Sequence, residues 1–185
     1  MAVPQSNFSI STFTSKKGLQ QGGALSSLFQ VSVTTEPAGV DKLDQMIYLT
    51  KGANLPTSAI DTTEVSFMGR PLKIPMNRAS QDWNTTVYND EDMSIRHILE
   101  GWMHKISSHQ TNERANDYLS INSYTGVLKV EQFSKDGTST FNFYTFHQAW
   151  PTTLTEIALS WDTNEIETYD VTWAYSYWLS NKITT

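Results

Sequence analysis

Residues 150–178 read WPTTLTEIALSWDTNEIETYDVTWAYSYW, and the second half of this stretch decides the fold class. Tyr169, Val171, Trp173, Tyr175 and Tyr177 fall on one side of an extended chain, and Thr168, Asp170, Thr172, Ala174 and Ser176 fall on the other. Successive side chains of a strand point to opposite faces, so this alternation predicts a sheet with one packed face and one wet, polar face. A Trp150-Pro151 corner and an acidic turn precede the strand. Nothing in the segment has the make-up of a reaction centre.

Working outward, four strands are expected after the chain midpoint: Val127–Phe133, Thr140–His147, Ile157–Trp161 and Glu167–Leu179. The first two are joined through Asp136-Gly137, a strong hairpin signal. Ahead of them, Met93, Ile95, Ile98, Leu99, Trp102, Met103 and Ile106 form a helical apolar stripe, which predicts one helix at about 90–107. Asn89 or Asp90 is the expected N-cap, first-turn carboxylates suit the helix dipole, and Lys105 has the right sign near the other end. Asp82–Tyr88 is a strand. Glu64–Met68 and Arg70–Met76 are the arms of a hairpin about Gly69, with Pro71 and Pro75 confining the second arm to an edge. The pattern leaves two readings of that edge open: it extends into a neighbouring subunit, or its prolines block unwanted pairing. Leu28–Val33 is the first strand and Met46–Leu49 the second, with a turn-rich insert from Glu36 to Gly39 between them. Lys51–Pro56 reads as a strand end and loop. Residues 1–27, rich in Ser, Gln and Gly, are expected to be a mobile arm, leaving 28–185 as one domain.

With 13 Lys and Arg against 19 Asp and Glu, the formal net charge is −6. That balance argues against electrostatic gripping of nucleic acid, which relies on cations neutralising phosphates. The chain has no cysteine, which removes disulfides and thiolate metal sites. No apolar run is long enough to span a bilayer, and the opening residues have neither the basic nor the apolar region of a signal peptide, so the sequons at Asn7 and Asn84 are read as chance.

His97, Glu100 and His104 share a helix face and could offer zinc ligands, but their spacing is not that of the two-histidine zinc proteases, and a solvated polar face is the expectation. Asp82, Glu131 or Glu167 beside Trp83 or Trp173 could form a sugar site, against the ordinary alternative of surface carboxylates and core tryptophans. Nucleophile-elbow and phosphate-loop motifs are missing. The expectation is therefore a non-enzyme without cofactor or metal.

Two ordered blocks resemble the tail tube proteins of contractile-tailed bacteriophages. The first runs Asn54-Leu55-Pro56, Phe67-Met68-Gly69-Arg70 and Asp82–Glu91 into the helix with Trp102; the second is Trp150–Thr152, Trp161-Asp162 and Glu165–Tyr169 to Tyr177-Trp178, with Leu28–Val31 matching the first strand. The resemblance implies a mainly β fold, two antiparallel sheets in a small barrel or sandwich flanked by one helix, an architecture shared with type VI secretion ring proteins. It implies six-membered rings stacked into a tube in the virion tail, assembled in the host cytoplasm. The implied partners are further copies of the chain, the sheath, baseplate and terminator proteins, and a tape-measure protein and DNA in the lumen; no membrane is involved. Leu55, Pro56, Phe67, Met68, Arg70 and Pro71 are the expected subunit-interface residues. A tube initiator or terminator, a bacteriocin or secretion tube, and a carbohydrate-binding β-sandwich stay open as alternatives. The long arm, the insert Glu36–Asp44 and the tail Asn181–Thr185 depart from the family pattern.

Overall fold

A computed structural model of the chain describes residues 23–79, 81–162 and 164–182. Most of the expected arm, residues 1–22, and the end of the tail, 183–185, lie outside the described residues.

The strands are β1 (Phe29–Thr35), β2 (Thr50–Ala53), β3 (Ala59–Phe67), β4 (Arg70–Ala79), β5 (Trp83–Tyr88), β6 (Gly126–Phe133), β7 (Thr140–Leu154), β8 (Thr168–Ala174) and β9 (Tyr177–Ser180). The helices are α1 (Met46–Leu49), α2 (Ser94–Ile106) and α3 (Ile121–Tyr124), with short 3-10 turns at Leu43–Gln45 and Asn116–Tyr118. All ladders are antiparallel. Seven strands form one sheet in the order β1-β6-β7-β8-β5-β2, with β9 also on β7, while β3 and β4 form a separate ribbon.

Strand β7 joins two halves of the large sheet. Tyr144–His147 pair with β9 and Trp150–Leu154 with β8, so the predicted strand 167–179 does run along β7 but is broken at Tyr175-Ser176. The break lies opposite Gln148, whose left-handed φ of 54° bends β7. The expected Trp150-Pro151 corner is instead strand interior, with Pro151 buried opposite Trp173. The bend lets residues of both halves meet in one core: Val31, Leu128, Val130 and Phe146 from one, Trp83, Val87, Tyr169, Val171 and Trp173 from the other. This is a sandwich, and the expected barrel does not close within one chain, since among the described residues no ladder joins β1 to β2.

Register across β5 and β8 explains the alternation. Trp83 opposes Trp173, Thr85 opposes Val171 and Val87 opposes Tyr169, and all six residues are buried. The three core indole N–H groups are all satisfied. Trp173 donates to Thr85 Oγ1 at 3.0 Å, Trp102 to the Tyr124 carbonyl at 2.8 Å, and Trp83 to the Asn54 carbonyl. Without those acceptors each buried N–H would cost about 1–3 kcal/mol. Trp83 also stacks on Phe146, with ring centroids 4.3 Å apart.

Helix α2 lays Ile95, Leu99 and Trp102 onto this core, as the stripe predicts. It starts at Ser94 rather than near 90, because Met93 adopts a left-handed conformation and no carboxylate enters the first turn. Asp90 still caps it from outside: its carboxylate accepts from the Ser94 N–H at 2.9 Å and the Ser94 hydroxyl at 2.5 Å, which holds its pKa below the usual value. Two further expectations fail. Met46–Leu49 is a helical turn, buried through Met46, and Ile157–Trp161 pairs with no strand among the described residues and lies in an irregular β7–β8 connection.

Two features make the packing testable. A Cβ added at Gly126 would meet the Thr35 carbonyl oxygen at 2.7 Å and the Trp102 ring at 3.4 Å. Gly126→Ala is therefore expected to lower stability by about 1–3 kcal/mol in denaturant unfolding, with backbone rather than a flexible side chain in the way. Separately, the Tyr169 hydroxyl is buried without a hydrogen-bond partner among the described residues, and burial raises its pKa above the ordinary tyrosine value of 10.0. An acid with a raised folded pKa loses its proton first in the unfolded state, so its stability contribution is intact below pH 10 and is lost as pH rises beyond it. Tyr169→Phe is expected to match or exceed the parent in melting temperature at neutral pH and to show a shallower alkaline loss.

Candidate assembly surfaces

The β3–β4 ribbon contradicts the usual behaviour of a folded chain: every residue from Ile60 to Arg78 is exposed. Its turn follows from the sequence. Met68 and Gly69 both have positive φ, 48° and 78°, as a two-residue primed hairpin turn requires. From that turn the register runs Phe67 opposite Arg70, Val65 opposite Leu72 and Thr63 opposite Ile74 on one face. Ser66–Pro71, Glu64–Lys73 and Thr62–Pro75 occupy the other. One face is thus largely apolar and the other polar, with Lys73 and Glu64 3.8 Å apart.

Phe67 is 71% and Met68 91% exposed, and Val65, Leu72 and Ile74 are also exposed on the apolar face. A two-stranded hairpin alone is marginal in water, and its bare apolar face calls for a covering surface. The prolines say which surface is not offered. In a two-residue hairpin the pair flanking the turn is hydrogen-bonded and pairing alternates from there, so Pro71 and Pro75 sit where the backbone nitrogen points outward. Their missing donors cost the ribbon nothing and deprive the outer edge of β4 of two pairing sites. The prolines thus limit pairing along the outer edge of β4, and the face of the hairpin is left uncovered by the described residues.

The expected interface residues separate into two places. Phe67, Met68, Arg70 and Pro71 gather at the hairpin tip, whereas exposed Leu55 and half-buried Pro56 lie at its root. The nine residues of β3 put about 30 Å between tip and root. At the root, Thr57 donates to Gln81 Oε1 at 3.0 Å and Arg78 to Ser58 Oγ at 2.9 Å, so polar contacts tie the two legs of the ribbon to each other. Sequence reading missed a second exposed apolar set, Leu159, Trp161 and Ile166 in the β7–β8 connection.

The wet face of β5 and β8 forms a shallow polar concavity lined by Gly52, Asn54, Asn84, Thr86, Asp170 and Thr172. Thr86 donates to Asp170 Oδ1 at 2.6 Å, and Lys51 lies over the Tyr88 ring at the margin.

The residues weighed for catalysis do not converge. Trp83 and Trp173 are core side chains, unavailable for stacking on sugars. Glu131 pairs with Lys129 at 2.8 Å, Glu167 accepts from Asn89 at 2.7 Å, and Asp82 is exposed at the start of β5. His97, Glu100 and His104 do share the outer face of α2, where Glu100 is engaged by Arg96 at 2.9 Å and His104 packs near His109. Among the described residues no group of three or more His, Asp or Glu is placed to hold a metal ion.

Comparison with known proteins agrees with the emphasis on surfaces. The chain is 32% identical over 129 residues to tail tube protein gp19 of Enterobacteria phage T4, covering 69% of this chain and 77% of that protein. The gp19 protein of Enterobacteria phage T6 matches with the same identity and coverage. Among solved structures, the sheath/tube terminator of the extracellular contractile injection system PVC superposes with a TM-score of 0.60 at 18% identity, covering 83% of this chain and 93% of that one. The tube-terminating cap of the anti-feeding prophage gives 0.58 at 16% identity, covering 88% and 93%. These two likenesses show a shared fold. A family model described as phage tail tube protein matches residues 4–181, and on that match and the gp19 identity this chain belongs to the phage tail tube protein family.

Proposed function

We propose that this chain is the repeating subunit of the inner tube of a contractile phage tail, with six copies closing into a ring and rings stacking into a conduit for DNA. The observation that carries the reading is the β3–β4 hairpin, whose apolar face is left uncovered by the described residues. A contact between unlike surfaces of identical subunits closes into rings or propagates as a stack, according to its rotation. Ring closure would also pair the edges at β1 and β2 that are open among the described residues.

The polar concavity on β5 and β8 suits a lumen wall. Its lining residues Asn84, Thr86, Asp170 and Thr172 include no Lys or Arg, so they would not hold a passing polyanion. In this reading the tape-measure protein and DNA occupy the channel without sequence-specific binding, the sheath surrounds the tube, and baseplate and terminator proteins meet its ends. The assembled protein resides in the virion tail after assembly in the host cytoplasm.

Negative-stain microscopy of purified protein is expected to show rings or tubes with a central channel. Leu55→Ser and Phe67→Ser change exposed positions, so each is expected to stay within about 0.5 kcal/mol of the parent stability while abolishing tube growth. Intact tubes from both variants would contradict the assignment.

A further inference from the structure

We infer that the β7–β8 connection is the socket that receives the hairpin tip of a second copy of this chain. The inference rests on the tube reading and assigns the two surfaces that mate.

Three observations converge on it. Both surfaces are apolar and uncovered: Trp161 has its whole surface exposed, flanked by exposed Leu159 and Ile166, and the tip presents Phe67 and Met68. Their charges are complementary. Between Thr155 and Glu167 the chain carries acidic residues, exposed Glu156, Asp162 and Glu165 among them, and no Lys or Arg. The tip carries Arg70, which has no ion-pair partner among the described residues, and Lys73 in a loose, exposed pair. A guanidinium arriving at an exposed indole also gains a cation–π contact.

Exposure decides that the contact is between copies, since Phe67 and Met68 at the tip and Trp161 in the socket are all uncovered by the described residues. The hairpin root feeds into Trp83, at the end of β5 that pairs with Trp173, while the acidic connection enters β8 at Thr168, opposite Tyr88. The two surfaces therefore attach at opposite ends of β5, about 17–20 Å apart along the strand. The fully exposed hairpin does not reach its own socket. One copy thus offers a plug at one end of the sheet and a socket at the other, a head-to-tail contact that propagates. Because Pro71 and Pro75 deprive the outer edge of β4 of two donors, side-chain complementarity on the face and tip must supply specificity.

Charge exchange tests this directly, with circular dichroism and melting temperature confirming that each exposed substitution leaves the subunit folded. Arg70→Glu alone sets an acidic tip against an acidic socket, and the pair Asp162→Lys and Glu165→Lys sets a basic socket against a basic tip. Each variant alone is expected to yield at least tenfold less sedimentable polymer than the parent. An equimolar mixture is expected to restore it, because each tip then finds a socket of opposite sign. Parental polymer yields from the single variants, or no recovery in the mixture, would overturn the socket assignment while parental tubes keep the tube reading standing. A parent chain that forms neither rings nor tubes in the same assay would overturn both.

Discussion

The register between β5 and β8 is the constraint on which the rest of the molecule depends. Pairing Trp83 with Trp173, Thr85 with Val171 and Val87 with Tyr169 puts Trp83, Val87, Tyr169, Val171 and Trp173 on one buried face. A shift of one residue would turn the tryptophans to water and bury Asp170 and Asn84. The same pairing anchors α2, since Trp102 packs against Trp173 with ring centroids 5.9 Å apart. It also fixes the two ends of the molecule, because β5 receives the hairpin at Trp83 and the acidic connection closes on β8 beyond Tyr88.

The subunit divides its apolar residues between two tasks. Inside, the indole N–H groups and the buried Thr85 hydroxyl are satisfied, so the body is stable by the ordinary rules of burial. Outside, the hairpin breaks those rules along its whole length. A chain that leaves Phe67, Met68 and Leu72 in water exposes a hazard unless a partner of the same composition covers them. The prolines of β4 restrain the open-ended edge pairing that such a strand would otherwise invite. What the hairpin keeps is a face and a tip, which suit a specific, repeatable contact better than a β-ladder does.

Much of this was legible in the sequence because periodicity encodes which face is buried. The alternation through Tyr169, Val171 and Trp173 and the stripe through Ile95, Leu99 and Trp102 both report burial directly. Gly69 marked the hairpin turn, since only a residue tolerant of positive φ fits there easily. The same signal misled where burial was absent. Ile157, Leu159 and Trp161 alternate as a strand would, yet no strand among the described residues pairs with them, and periodicity cannot report the lack of a partner. Met46–Leu49 is too short for its period to separate a helical turn from a strand. The bend at Gln148 left no mark, because its unusual φ is imposed by the ladders around it. Of the six expected interface residues, the structure gathers Phe67, Met68, Arg70 and Pro71 but holds Leu55 and Pro56 at the far end of the ribbon, a separation that depends on strand length and attachment.

The central claim is that the hairpin is held by its neighbours and not by its own subunit. Amide hydrogen exchange, followed by mass spectrometry in the free subunit and in assembled tubes, tests it most directly. In the free subunit the amides of β3 and β4 are predicted to exchange far faster than those of β5 and β8, and on assembly they become protected. Equal protection of β3–β4 and β5–β8 in the free subunit, or hairpin exchange unchanged by assembly, would contradict the account.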